Sequence, residues 1–332
     1  MKKRIVTGIK PTGDIHLGNY IGAIKPALEL AKDEEYQASY FVADYHALTK
    51  MPEPGELPQL TNGIAAAWLA FGLDPNQSIL YRQSDVPEIF ELNWILACIT
   101  SKGLMNRAHA YKGIVDHNRQ VGKEVDSGVN MGIFTYPILM AADILMLKTD
   151  VVPVGKDQIQ HVEIARDLAE SFNHHYGETF VLPQFQVQEE TAVLPGLDGR
   201  KMSKSYHNTI PLFEEPKKLQ KRINQIKTDS LPPEAPKNPD ESTIFTLYKE
   251  FASTEQVEAM RARYEGGIGW GQAKKELFEV MNNYLEEPRE KYNELMASPQ
   301  KLDEVLVMGA EKARAVSVPF LKEIKQKMGF SL

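Results

Sequence analysis

Up to Arg82 the chain alternates short apolar runs with amphipathic stretches, and that alternation leaves few folds open. Arg4-Ile5-Val6-Thr7-Gly8 reads as a short buried strand ending in a glycine turn. Ile21, Ile24, Leu28 and Ala31 then recur at helical spacing over residues 19–32. Tyr40-Phe41-Val42-Ala43-Asp44 reads as a second strand, residues 58–71 as a second helix, and Ser78-Ile79-Leu80-Tyr81-Arg82 as a third strand. Strands separated by helices cannot close as hairpins and must run parallel. The rhythm therefore predicts an α/β fold, a Rossmann-like doubly wound parallel sheet. Asp150-Val151-Val152-Pro153-Val154-Gly155 reads as another central strand, entering a helix at Asp157.

Between the third strand and this one, residues 88–132 predict a mostly helical insertion. After Phe213 the strand signals stop. Leu231-Pro232-Pro233-Glu234-Ala235-Pro236 interrupts helical sequence as a surface connection, and a glycine-rich break at 266–271 precedes a long helix from about Gln272. A chain of 332 residues is longer than one compact domain usually is. The expected division is an α/β domain over 1–205 and an all-helical C-terminal domain over 206–332.

Composition narrows the classes of function. A net charge of −7 makes the molecule as a whole repel nucleic acid, so an RNA partner would need a local basic surface. Residues 201–227 offer one: Lys201, Lys204, Lys217, Lys218, Lys221, Arg222 and Lys227 against Glu214 and Glu215, seven less two, or +5. Beyond Ser205 the same pattern also fits solvated helix faces with no ligand. A single cysteine, Cys98, excludes an internal disulfide, a cysteine-rich zinc site and a four-thiolate iron–sulfur cluster, and suits a reducing compartment. Its apolar neighbours, Trp94 to Ile99, predict a buried thiol. The basic start at Lys2, Lys3 and Arg4 leads into no long apolar run, and no stretch reaches the ~20 residues of a membrane span. The expectation is a soluble cytoplasmic protein with no membrane partner.

Two short segments carry the chemistry. Pro11-Thr12-Gly13-Asp14-Ile15-His16-Leu17-Gly18-Asn19 lies between the first strand and the first helix, where doubly wound sheets bind ligands. Gly8, Gly13 and Gly18 let backbone approach a ligand, and the helix starting near Asn19 turns free N–H groups toward a phosphate. Thr12 and His16 can donate to phosphate oxygens. Alone, the stretch also fits a glycine turn with a helix-capping Asn. Lys201-Met202-Ser203-Lys204-Ser205 follows the turn Pro195-Gly196-Leu197-Asp198-Gly199-Arg200. Two lysines three apart, interleaved with hydroxyls, suit a mobile clamp on a triphosphate.

Together these segments resemble the two signatures of the class I aminoacyl-tRNA synthetases, His-Ile-Gly-His and Lys-Met-Ser-Lys-Ser. The second matches residue for residue; the first matches at His16 and Gly18, with Asn19 in the last place. Gly-Asn there resembles the bacterial-type tryptophanyl branch, a likeness that runs along essentially the whole chain. The resemblance implies ATP as its magnesium complex, with no protein-bound metal. It places phosphates against Lys10, Pro11, Thr12 and His16, and adenine near Gly18 and Asn19. It adds Leu194, Met202, Ser203 and Ser205 on the nucleotide side, and Lys112 within reach of the phosphates from the inserted helices.

The amino acid is read from Tyr136, Met140, Asp143 and Leu147, which share one helical face at i, i+4, i+7 and i+11. An acid on an apolar face needs a partner: a neighbouring helix end, an arginine, or the donor of a ligand. The related tyrosyl pattern resembles Tyr-x-x-x-Gln-x-x-Asp. Here Met140 replaces the glutamine and Val6 stands where that branch has a tyrosine, leaving one carboxylate among apolar walls. Indole N–H is donor-only and fits. Gly8, Val152 and Val154 join this substrate side. In Gly155-Lys156-Asp157-Gln158, Asp157 can accept from ribose hydroxyls and Gln158 can hold the α-amine or carboxylate. The relatives have Gly-Glu-Asp there, so Lys156 departs from the pattern. His46, in Asp44-Tyr45-His46, fits either a contact to the substrate's polar end or a satisfied core histidine.

The implied reaction is activation of L-tryptophan to its adenylate and transfer to tRNA(Trp). The carboxylate attacks the α-phosphorus in line while Lys201 and Lys204 neutralise phosphate charge. The helical C-terminal region would read the anticodon, and a homodimer would form through the 88–132 insertion. A tyrosyl enzyme, a small-molecule adenylyltransferase and a non-catalytic tRNA-binding paralogue are the competing readings. The last would be expected to lose its lysines or its His-x-Gly turn, and both are intact here.

Overall fold

The computed structural model describes residues 2–187 and 194–331. Five parallel strands form one sheet: β1 (Lys3–Ile9), β2 (Tyr36–Val42), β3 (Ile79–Arg82), β4 (Val151–Val154) and β5 (Gln184–Val187), in the order β3-β2-β1-β4-β5. Four of the five carry the apolar runs read from sequence. β5 does not: Gln184 and Gln186 alternate with Phe185 on an exposed edge, so burial left no apolar signature there.

Adjacent residues in the buried strands point to opposite faces, as the strand period of two requires. Ile5, Tyr40 and Leu80 join a core with Trp68, Leu277 and Leu306. Val6, Phe41, Tyr81 and Val152 join a second core with Leu92, Ile144, Val162 and Phe320. The sheet is thus covered on both sides, which is why its strands read as continuous apolar runs.

After β1 the chain winds through Leu17–Asn19, a π turn at Tyr20–Ile24 and a helix at Lys25–Lys32. The insertion between β3 and β4 is helical: Glu88–Ile99, Lys102–Asn106, His109–Gln120 and Met131–Met146. Cys98 is exposed, contrary to expectation. On Glu88–Ile99 the buried stripe runs through Ile89, Leu92, Ile95 and Leu96, and Cys98 lies on the opposite face with Glu91 and the 72% exposed Trp94. Trp94 and Cys98 on the outer face, in an otherwise strongly apolar helix, concealed which side the core would take.

Beyond Phe213 the described residues contain no strand. The last helix, Pro299–Lys327, returns to the sheet and packs along the edge strand β3. Gly309 makes this possible: a Cβ there would collide with the Leu80 carbonyl. Its Leu302 and Leu306 enter one core and its Phe320 and Ile324 the other, so it straps the edge where both faces meet. Arg314 and Ser317 then bind Glu88 at 2.9 Å and 3.2 Å.

Candidate active site

Strand order reverses between β1 and β4, and two cavities open around the ends of these strands. The smaller, about 430 Å³, is walled by Val6, Phe41, Ala43, Met140, Ile144, Val152 and Val154, with Asp143, His46, Tyr136 and Gln158 as polar groups. The larger, about 880 Å³, is lined by Thr12, His16, Gly18, Asn19, Asp157 and the whole of 201–205. Gly22 and Gly155 line both, so the cavities meet there. Gly22 lies within the π turn, a geometry often found at functional sites. A third cavity of about 560 Å³, at Asp44, Arg82, Asp85 and Asp303, has its arginine already engaged by Asp85 and Asp303 and includes neither signature.

The helix Met131–Met146 brings Tyr136, Met140 and Asp143 into the smaller cavity; Leu147 lies just past its end, in the core. Asp143 is 0% exposed. No arginine pairs with it among the described residues. Its Oδ1 accepts from the Gln83 amide at 2.8 Å, and its Oδ2 from the same nitrogen at 3.0 Å and from His46 Nε2 at 2.8 Å. Burial pushes the carboxyl's pKa up, against His46 and Gln83, whose hydrogen bonds favour the ionised form; nearby Asp44 adds to the rise. Tyr81, fully buried, has its hydroxyl pushed well above the usual range by burial and then by Asp143.

Two sequence readings change here. His46 lines the cavity with its Nε2 bonded to Asp143, so that nitrogen is not free for the substrate's polar end. Gln83 was not anticipated. The available signal was its place at the C-terminal end of the third strand, where α/β sheets concentrate ligand groups. Gly8 is required by Phe41, its partner in β2: a Cβ at Gly8 would run into the Phe41 ring that walls the cavity.

A second chain of hydrogen bonds orients the opposite wall. His161 Nδ1 lies 2.8 Å from Gln158 Oε1, an oxygen that can only accept, so Nδ1 carries the proton. Nε2 then accepts from the Tyr136 hydroxyl at 2.7 Å. Burial holds His161 below its usual pKa, consistent with this neutral ring. The Gln158 NH₂ remains as the donor end and reaches Asp157 at 3.1 Å.

On the other side, the first signature folds as a turn into Leu17–Asn19. Asn19 reaches back so that its Oδ1 accepts from the His16 N–H at 3.1 Å. Gly13 has φ +59°, a left-handed conformation that glycine adopts without strain, and the Lys204 side chain lies across it, its ammonium donating to the Thr12 carbonyl. Buried Asn208 staples the second signature. It accepts from the Ser203 N–H at 2.8 Å and donates to the Lys201 carbonyl at 3.1 Å and to Asp198 at 2.7 Å. The Asn208 amide is the main reason Asp198 is held down to about 2. Met202 is tied to Leu194 through a backbone hydrogen bond of 2.8 Å, and both line the cavity.

This side is positively charged and partly dry. Burial, then Lys204, lowers His16 to about 4; burial, then Lys50, lowers Lys10. Lys204 is lowered by burial, with Lys50 adding and Asp14 opposing. Lys50 was not singled out from sequence, yet it lines the cavity. Lys201, Lys156, Ser203 and Ser205 line it too. Gly155 is tight against Asp157, whose Oδ1 would be 2.9 Å from a Cβ. Pro11 is buried and lines neither cavity. Lys10 lines the smaller cavity rather than the larger, 3.3 Å from the Thr49 hydroxyl, and Lys112 is exposed and lines neither.

The sequence pattern of the family tRNA synthetases class I (W and Y) matches residues 1–286. The chain belongs to that family. It is 52% identical to the tryptophan–tRNA ligase of Pseudomonas aeruginosa over 332 residues, covering 99% of this chain and 74% of that one. It is also 52% identical to the tryptophan–tRNA ligase of Neisseria meningitidis, covering 99% and 98% of the two chains. Among solved structures, the Campylobacter jejuni tryptophanyl-tRNA synthetase complexed with ADP and tryptophan superposes with a TM-score of 0.89 at 46% identity, covering 98% of this chain and 100% of that one. In this class I synthetase the His16 turn and the 201–205 loop are in contact through Lys204 and Thr12, although 192 residues separate them in sequence.

Proposed function

We propose that the chain is a tryptophan–tRNA ligase: it uses ATP to convert L-tryptophan into tryptophanyl-adenylate, releasing pyrophosphate, and then transfers the aminoacyl group to tRNA(Trp). The observation that carries the reading is Asp143, a fully buried acid held by two donors on the wall of a mainly apolar cavity that joins a basic one. Indole supplies one donor and an apolar ring, matching that arrangement. A phenol would also need a donor for its oxygen, and Met140 and Val6 provide none.

On this reading the amino acid lies between Gly8, Val152, Val154 and Met140, with Gln158 donating to its carboxylate near Gly155. That carboxylate attacks the α-phosphorus of magnesium-ATP, the Pα–O bond to pyrophosphate breaks, and the charge leaving with pyrophosphate is met by Lys201 and Lys204. Thr12, His16 and the backbone at Gly18 and Asn19 hold the nucleotide, Asp157 the ribose. Neutral His16 donates through one ring N–H rather than as a cation. Positioning and fixed charge carry the chemistry with no side-chain nucleophile. The helical stretch 206–332 takes the tRNA anticodon, and Lys217, Lys221 and Lys227, all exposed, offer it positive charge.

A homodimer forms through the insertion, where Trp94 and Met131 are exposed at 72% and 70%. No described helix is long and apolar enough to cross a membrane, and cytoplasm is the compartment where tRNA charging operates. ATP–pyrophosphate exchange with each of twenty amino acids tests the activity: tryptophan alone should support rapid exchange, and a preference for tyrosine would overturn the assignment. Light scattering tests the dimer, which should weigh about twice the 37.4 kDa chain; a monomer at micromolar concentration would refute it.

A further inference from the structure

We infer that Gln83 is the positioning residue that sets the amino-acid specificity of this site, by holding Asp143 as a pure hydrogen-bond acceptor for the ring N–H of the substrate. This deepens the proposed tryptophan reading and rests on it. Three observations carry it. Gln83 is 0% exposed, so its amide cannot exchange partners with solvent. Its nitrogen spans both carboxylate oxygens of Asp143, at 2.8 Å and 3.0 Å, which fixes the plane of the carboxylate as one bond could not. It follows two residues after Tyr81, which is fully buried and close enough to the same acid to feel its charge.

The consequence is a matter of counting donors and acceptors. A carboxylate has about four acceptor sites, of which His46 and Gln83 together take three. One remains for the cavity that Asp143 lines. Both donor residues are committed to the acid, so the cavity is offered an acceptor and no donor at this point. An indole N–H is satisfied there; a phenol oxygen is left with unmatched lone pairs. Without Gln83, burial would drive Asp143 toward its neutral form, opposed only by His46 and helped by the negative charge of Asp44, with Tyr81 contributing no cation. A neutral carboxyl is a poorer acceptor and can itself donate.

The experiment measures KM for tryptophan and for ATP, kcat and a thermal midpoint from pH 5.5 to 8.5. It compares the unaltered enzyme with Gln83→Met, Gln83→Glu and Asp143→Asn. Gln83→Met should raise KM for tryptophan ~10- to 100-fold, the worth of a hydrogen bond to a charged group, while kcat and the ATP KM stay within ~2-fold. Its tryptophan KM should also start to worsen on acidification at a higher pH than that of the unaltered enzyme. Gln83→Glu keeps the shape and donates only when protonated, so its tryptophan KM should improve as pH falls. A Gln83→Met enzyme with the parental tryptophan KM and pH limb would overturn the inference, as would equal losses for tryptophan and ATP. If that variant does not fold, the slope of Gln83→Glu decides: a parental direction refutes it. Loss of tryptophan affinity in Asp143→Asn alone, with the Gln83 variants unaffected, would sink this inference and leave the tryptophan reading standing. An unaffected Asp143→Asn would sink the reading itself.

Discussion

The two cavities meet at Gly22 and Gly155 but are built on different principles. The larger, proposed for the nucleotide, is made of contiguous sequence: a turn around His16, a loop around Lys204, glycines that let backbone come close. Its polar groups sit on loops and short turns, most of them partly exposed although His16 is buried, and several work through the main chain. The smaller, proposed for the amino acid, is made of single residues from remote elements: Val6 from β1, Phe41 from β2, Asp143 from a helix, Val154 from β4, with Gln83 after β3 behind Asp143. Its one acid is fully dry and held by two other buried side chains. A site that grips charge can be assembled from local segments, because phosphate oxygens accept from any backbone or lysine donor that arrives. A site that discriminates rings must be assembled from the core, because only burial makes an unmatched polar atom costly.

The sharpest way to separate the two sides is Lys204→Ala. It should lower kcat for pyrophosphate exchange ~100- to 1000-fold, because a charge acting on the departing phosphates is lost from a partly dry site. Tryptophan affinity, measured by equilibrium dialysis, should hardly change; an equal loss in both would mean that the two cavities are not functionally distinct. Asp143→Asn should show the reverse pattern. The shape is kept and the charged acceptor is removed, so KM for tryptophan should rise roughly 10- to 100-fold with the ATP KM near parental. Steady-state exchange at varied tryptophan and ATP distinguishes these outcomes.

The smallest effect concerns stability. His16 titrates near 4 in the folded chain against 6.5 ordinarily. Between those values the unfolded chain takes up a proton at His16 and the folded chain does not. The stability tied to its neutral form is therefore whole above about pH 6.5 and is lost as pH falls toward 4. Burial lowers His161 too, so it acts in the same direction, whereas the raised carboxyls of Asp44 and Asp143 act oppositely. Comparison with His16→Gln isolates the one group: acidification from pH 7 to 4.5 should lower the thermal midpoint of the parent by roughly 1–3 °C more than that of the variant. Parallel curves would place the cost elsewhere.

The parallel sheet, both signatures and their meeting at one cavity were legible in the chain, because strand burial on two faces leaves unbroken apolar runs and because such glycine turns and lysine loops are local. Tyr136, Met140 and Asp143 were legible as one helical face for the same reason of short range. What burial or tertiary approach alone decides was not. β5 has polar residues on an open edge and lacks the apolar run that marks the other strands. Cys98 sits among apolar neighbours on a helix whose outer face also carries Trp94, so only packing reveals which side is in. The partners of Asp143 lie 60 and 97 residues away from it, and no periodicity links residues that meet only through the sheet. Gly309 repeats the lesson, since nothing around it in sequence announces that a helix from the far end of the chain must touch the backbone of β3. Local chemistry could be read along the chain; the choice of what a buried charge faces belonged to the folded core, where contacts are made across space and desolvation makes them matter.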